Sequence, residues 1–140
     1  KRDPFGRVVS VAYMALLPSQ TLKLKTTKDY AGVAWFPISK LPPLAYDHKE
    51  ILQFAHERLK GKLAYTNIAY GLLPKEFTLS ELQSTYEIIL GHKLDKRNFR
   101  KKLLALNLVT STKKHKREGA HRPAELFRFT RRTPTIVEVL

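Results

Sequence analysis

The sequence has no cysteine, which excludes disulfides and thiolate-bound metals. It is also poor in acids: 12 Asp and Glu stand against 26 Lys and Arg, leaving a net charge of +14. A surplus of that size favours a polyanionic partner, whether nucleic acid, an acidic membrane or the ribosome. Long hydrophobic runs are missing. The longest, Val8 to Leu17, is broken by Ser10 and falls short of the ~18–20 residues a membrane span requires. It also lacks the small-residue cleavage site of a signal peptide. No membrane partner is expected, and the expected location is cytoplasmic. No G-x-S-x-G, P-loop or G-x-G-x-x-G motif occurs, so neither an activated serine nor a glycine-rich phosphate cradle is indicated. The five histidines, His48, His56, His92, His115 and His121, show no H-x-x-x-H spacing. Adjacent residues on a helix do not face one another, so Asp47 beside His48 reads as a cap and not as an acid–base pair. No metal ligand, catalytic residue or cofactor is expected in this chain.

What is present is a globular composition. An apolar fraction of 43% over 140 residues suffices for one ordinary domain or two small ones. The charge is unevenly placed: residues 93–132 hold 14 Lys and Arg against 3 acids, a net of +11. A merely solvated surface would spread its charge, so the clustering favours nucleic-acid binding. Residues 7–17, short and Val-rich up to Pro18, predict a buried strand. Residues 21–27 alternate Leu and Lys and predict a half-exposed strand. Val33 to Ile38 predicts a third, with Trp35 and Phe36 in the core. A helix is predicted over 47–60. Asp47 and Glu50 have the spacing of a capping box, Ile51, Leu52, Ala55 and Leu59 share one face, and Gly61 suits the position after the end. A short helical piece follows at Asn67 to Leu72. The domain boundary is placed at residue 61.

The clearest local signals come next. Thr78 and Glu81 form a T-x-x-E capping box, with Phe77 and Leu82 at the positions of a hydrophobic staple. Leu79, Leu82, Tyr86, Ile89 and Leu90 cluster on one helical face, and Gly91 supplies the stop. Asp95 then caps a second helix predicted to run to about Asn107. Two helices joined by a short glycine-containing turn are a helix-turn-helix. Strands predicted at Leu108–Thr112 and Ala124–Thr130 flank a basic loop at 113–123. Helix, turn, helix, strand, basic loop, strand is the order of a winged helix, and the fold class is α+β, with residues 133–140 as a C-terminal tail.

The second helix carries the chemistry. At ~100° per residue, Phe99, Leu103 and Leu106 share an inward arc, while Lys96, Arg97, Arg100 and Lys101 occupy another. The N-terminal residues of such a helix lead into the major groove. Arg97 can pair bidentately with guanine and Asn98 with adenine, whereas lysine meets phosphate as a point charge. Lys113, Lys114, Lys116, Arg117 and Arg122 in the loop are expected to reach backbone phosphates or the minor groove. Leu104 lies within the basic arc and either covers the wing or reaches a thymine methyl.

Several stretches together resemble the Nudix-related transcriptional regulators, which join a Nudix-like domain to a C-terminal winged helix. They are R-D-P-F-G-R-V-V-S-V-A-Y at 2–13, W-F-P at 35–37, L-P-P-L-A-Y-D-H at 41–48, L-L-P-K-E-F-T-L-S-E-L-Q at 72–83 and L-D-K-R-N-F-R-K-K at 94–102. The resemblance implies a partial Nudix-like α/β sandwich segment at 1–60 and a winged helix at 61–132. It implies sequence-specific binding to double-stranded DNA at a palindromic operator, as a homodimer. It further implies repression of NAD or sugar metabolism genes, with ADP-ribose or a related nucleotide sugar as effector. The Nudix box, which would precede the R-D-P stretch, is absent, so the chain resembles the C-terminal part of such a protein. The alternative is a fragment of a Nudix hydrolase acting on ADP-ribose, in which Mg²⁺ would belong to a full-length protein with an intact box.

Overall fold

The computed structural model describes residues 6–7, 9–18, 22–28, 32–117 and 123–140. Helix α1 spans His48–Tyr65, strand β1 Phe77–Thr78, helix α2 Leu79–Leu90, helix α3 Lys96–Ala105, strand β2 Val109–Lys116 and strand β3 Ala124–Phe129. Single turns of 3-10 helix lie at Ile38–Lys40 and Ile68–Gly71. The sheet has the order β1-β3-β2 and both pairings are antiparallel. This is the α+β winged helix arrangement read from the sequence.

The α2 signals are realised at the atomic level. Thr78 Oγ1 accepts from the Glu81 amide at 3.1 Å, and the Glu81 carboxylate accepts from the Thr78 amide at 2.6 Å. Two otherwise orphaned donors of the first turn are thereby satisfied. Phe77 and Leu82 are both fully buried, as a staple requires. Gly91 ends the helix at φ 80°, a left-handed conformation that a Cβ would disfavour. In α3, Phe99 and Leu103 point inward at a spacing of four, and Phe99 meets Tyr86 edge-on at 5.0 Å between ring centres. The core then extends through Phe77, Val109, Phe127 and Phe129 of the sheet to Leu63 of α1. Each such side chain contributes about 1.5–3 kcal/mol when taken out of water.

Several expectations are corrected. Helix α3 ends at Ala105, not near Asn107, because Asn107 takes a positive φ of 50° and turns the chain into β2. Leu106 consequently remains partly exposed instead of joining Phe99 and Leu103 inside. Helix α1 does not stop at Gly61 but runs on to Tyr65, drawn inward by Leu63. Residue 61, the expected domain boundary, thus lies inside a helix. Asp47 occupies the N-cap position of α1, yet its side chain makes no capping hydrogen bond. Residues 133–140 pack against the end of α1: the Val137 amide donates to Tyr65 O at 2.9 Å, the Val139 amide donates to Ala64 O at 2.7 Å, and Val139 is buried.

The three N-terminal strands do not form among the described residues, which are irregular up to the turn at Ile38. Val9, Val11 and Tyr13 are exposed, as are Trp35 and Phe36. A strand exists only through its ladder to another strand, and no described strand lies beside these stretches. Leu16 lies close against Gly71, where an added Cβ would stand 3.0 Å from the Leu16 Cβ.

Candidate nucleic-acid interface

Helix α3 opens with Asp95, whose carboxylate accepts from the Asn98 amide at 2.7 Å. Its first turn contains no acid. Lys96 and Arg97 instead stand at the positive end of the helix dipole, an arrangement that costs the helix about 0.3–1 kcal/mol per cation. The same arrangement favours an anion docked at that end. Lys96, Arg97, Asn98 and Lys101 are all exposed, and Leu104 shares their solvent side. Arg100 is placed differently: it is half-buried, and its Nη2 donates to Ser80 Oγ on α2 at 2.9 Å.

The turn before α3 is held by Glu87. Its carboxylate accepts from Lys93 Nζ at 2.7 Å, from the Leu94 amide at 3.1 Å and from Gln83 Nε2 at 2.9 Å. These three donors, led by Lys93, lower its pKa from 4.5 to about 2.

The wing is a hairpin with a fault in its ladder. Ser111 faces Phe127 and His115 faces Glu125, so four steps along β2 match two along β3. Lys113 sits in this bulge at φ 60°, and its amide donates to Ser111 Oγ at 2.9 Å. The Ser111 hydroxyl also donates to the Glu125 carboxylate. Bulges re-aim the strand that carries them. From within this one Lys114 Nζ reaches Glu76 at 2.8 Å, and beyond it Lys116 Nζ reaches Glu81 at 3.1 Å. Lys113 and Arg117 are exposed, while Arg122 lies outside the described residues. Arg100 of α3 and Lys114 and Lys116 of the wing are therefore brought together around the start of α2. There the first turn of α2 meets Arg100 through Ser80 and Lys116 through Glu81.

Sequence reasoning missed several residues that build this frame. Glu76, Ser80 and Glu87 look like ordinary polar residues in the sequence, because their partners are distant or fixed by the turn geometry. Asn67 is buried: its Nδ2 donates to Arg131 O at 3.3 Å and Thr133 O at 3.1 Å, and its Oδ1 accepts from the Thr135 amide at 2.9 Å. Arg132, part of the basic stretch, donates to Tyr70 O at 2.6 Å and Leu73 O at 3.2 Å and lies over the Tyr70 ring.

The family described as the NrtR DNA-binding winged helix domain matches residues 69–129. The α2–α3–hairpin order described above falls within that match. The chain is 41% identical over 131 residues to the ADPR responsive transcriptional repressor NtrR of Acinetobacter baylyi. That match covers 92% of this chain and 52% of the relative, so the chain spans about half the relative's length. Among solved structures it is similar to Shewanella oneidensis NrtR complexed with a 27mer DNA, with a TM-score of 0.62 and 32% identity. That match covers 69% of this chain and 45% of the other. A second structure of Shewanella oneidensis NrtR matches with a TM-score of 0.55 and 35% identity, over 63% and 39% of the two chains. The resemblance to Nudix-related regulators read from the sequence is thereby borne out.

Proposed function

We propose that this chain is a sequence-specific DNA-binding module of a transcriptional regulator, a repressor like its Acinetobacter relative, acting in the cytoplasm. The observation that carries the reading is the first turn of α3. It exposes Lys96, Arg97 and Asn98 directly after the capping Asp95, with no further acid in the turn, within a winged helix similar to that of an NrtR solved with DNA. Arg97 and Asn98 read base edges, and Lys96 and Lys101 contact phosphates beside them. The wing brings a further group of cations to the backbone. In a full-length protein of the relative's size, ADP-ribose or a related nucleotide sugar is the effector, and a homodimer spans a palindromic operator. The described residues do not fit a Mg²⁺ cluster, since among them no three His, Cys, Asp or Glu side chains come together. No metal-dependent step is assigned to them.

Selection from a randomised duplex pool, followed by titration at several salt concentrations, tests the reading. The selected site should contain two half-sites about one DNA turn (~34 Å) apart; a single half-site would argue against the dimer. Arg97→Ala should cost about 1–3 kcal/mol on that site and little on a scrambled duplex. Equal loss on both duplexes would remove base readout from this helix. Relief of binding by ADP-ribose, measured with the full-length protein, tests the effector.

A further inference from the structure

We propose that Glu76 and Glu81 are positioning residues for the wing, holding Lys114 just before β1 and Lys116 on the first turn of α2, and withholding both lysines from DNA phosphates. The inference rests on the DNA-binding reading above and reassigns two of the cations expected to meet the backbone. Both ion pairs join segments far apart in sequence, at 2.8 Å for Lys114–Glu76 and 3.1 Å for Lys116–Glu81. An isolated exposed ion pair contributes little, largely because two flexible side chains must be ordered. Here one partner is already ordered, because the Glu81 carboxylate is fixed by the capping box through the Thr78 amide at 2.6 Å. The wing side is shaped as well. The β2 bulge at Lys113 is secured by the Lys113 amide on Ser111 Oγ and by Thr112 Oγ1 on Leu126 O at 2.8 Å. The same turn of α2 receives Arg100 from the reading helix through Ser80. One turn thus fixes the reading helix and the wing relative to each other. A lysine neutralised by a carboxylate releases no counterion on binding DNA. The two glutamates therefore lower sequence-independent affinity while preserving base readout.

The test compares wild type, Glu76→Gln, Glu81→Gln and the double variant on a random duplex across a salt series. The same glutamate changes are then repeated in a Lys114→Ala/Lys116→Ala background. Glutamine still serves a capping box, and circular dichroism checks the fold; Glu76→Gln, outside the box, carries the test if Glu81→Gln unfolds. Each glutamine should steepen the salt slope by about 0.9, one more phosphate being neutralised, and raise random-duplex affinity several-fold at low salt. Neither change should appear in the lysine-free background. A gain of equal size there would mean simple repulsion between carboxylate and phosphate, and would overturn the proposal. So would a loss of about 0.9 in slope for each lysine variant of the otherwise wild-type chain, since those lysines would already lie on phosphates. Binding that ignores all these changes refutes the inference alone. No duplex binding by the wild type refutes the DNA-binding reading with it.

Discussion

Glu87 accepts three hydrogen bonds at the turn between α2 and α3, and its environment makes a definite statement about acid. Lys93 first, then the Leu94 amide and Gln83, hold its pKa near 2 against an ordinary 4.5. A depressed carboxylate pKa stabilises the fold above the unfolded value, and that contribution is lost as pH falls toward the folded one. The window is therefore pH 4.5 down to about 2. Glu87→Gln should remove this part of the acid sensitivity. Denaturant midpoints measured for both proteins across that window should converge as pH falls; parallel curves would deny Glu87 the role. The arginines of the basic stretch make the same point about context. Arg97 stays exposed on α3, Arg100 binds Ser80, and Arg132 serves backbone carbonyls at Tyr70 and Leu73. Identical side chains in one charged stretch thus do three different things.

At the scale of elements, α2 is the scaffold and α3 the presented surface. The first turn of α2 is locally stabilised by its box and staple, whereas the first turn of α3 carries cations against its own dipole. Asp95 offsets that cost by capping the Asn98 amide. Thr78→Ala should lower stability by about 0.5–2 kcal/mol, the usual worth of an N-cap side chain. Thr78 pairs with Leu126 of β3 through its backbone, so the strand pairing should survive. Equilibrium urea unfolding gives the number, and an unchanged midpoint would mean the cap contributes nothing here. The wing depends more on tertiary partners, since Lys114 and Lys116 find acceptors outside the hairpin.

For the whole molecule, the two ends of the winged helix region are tied together. Helix α1 delivers Leu63 to the core, and residues 133–140 return to bond the carbonyls of Ala64 and Tyr65. Asn67 clamps the approach from both its donor and acceptor sides. This strap lies beyond the matched family region of 69–129, yet Val139 belongs to the same hydrophobic cluster as Phe77 and Leu82. Val139→Ala should destabilise the domain by about 1–3 kcal/mol through lost burial and a residual cavity. Thermal unfolding followed by far-UV circular dichroism would show it. A change confined within a few tenths of a kcal/mol would mean that the strap is peripheral.

The sequence by itself determined α2, α3 and the presence of a hairpin, because their signals are local, although β2 runs to Lys116 through the first residues of the stretch read as loop. A capping box, a staple, a glycine at positive φ and an apolar spacing of three and four act within one turn, and each is present in the folded helices. It also determined which helix face carries the cations, since helical periodicity sorts Lys96, Arg97 and Lys101 from Phe99 and Leu103. Tertiary structure alone decided the rest. The length of α1 was set by Leu63 finding a core, against the local stop signal of Gly61. The N-terminal apolar stretches stayed irregular among the described residues, because a strand is defined by a neighbour and not by its own residues. The partners of Lys114, Lys116, Arg100 and Arg132 depended on which turns the fold brought close. Charge pattern is written along the chain, but which charges are left to face a partner is settled only once the chain has satisfied its own carboxylates and carbonyls.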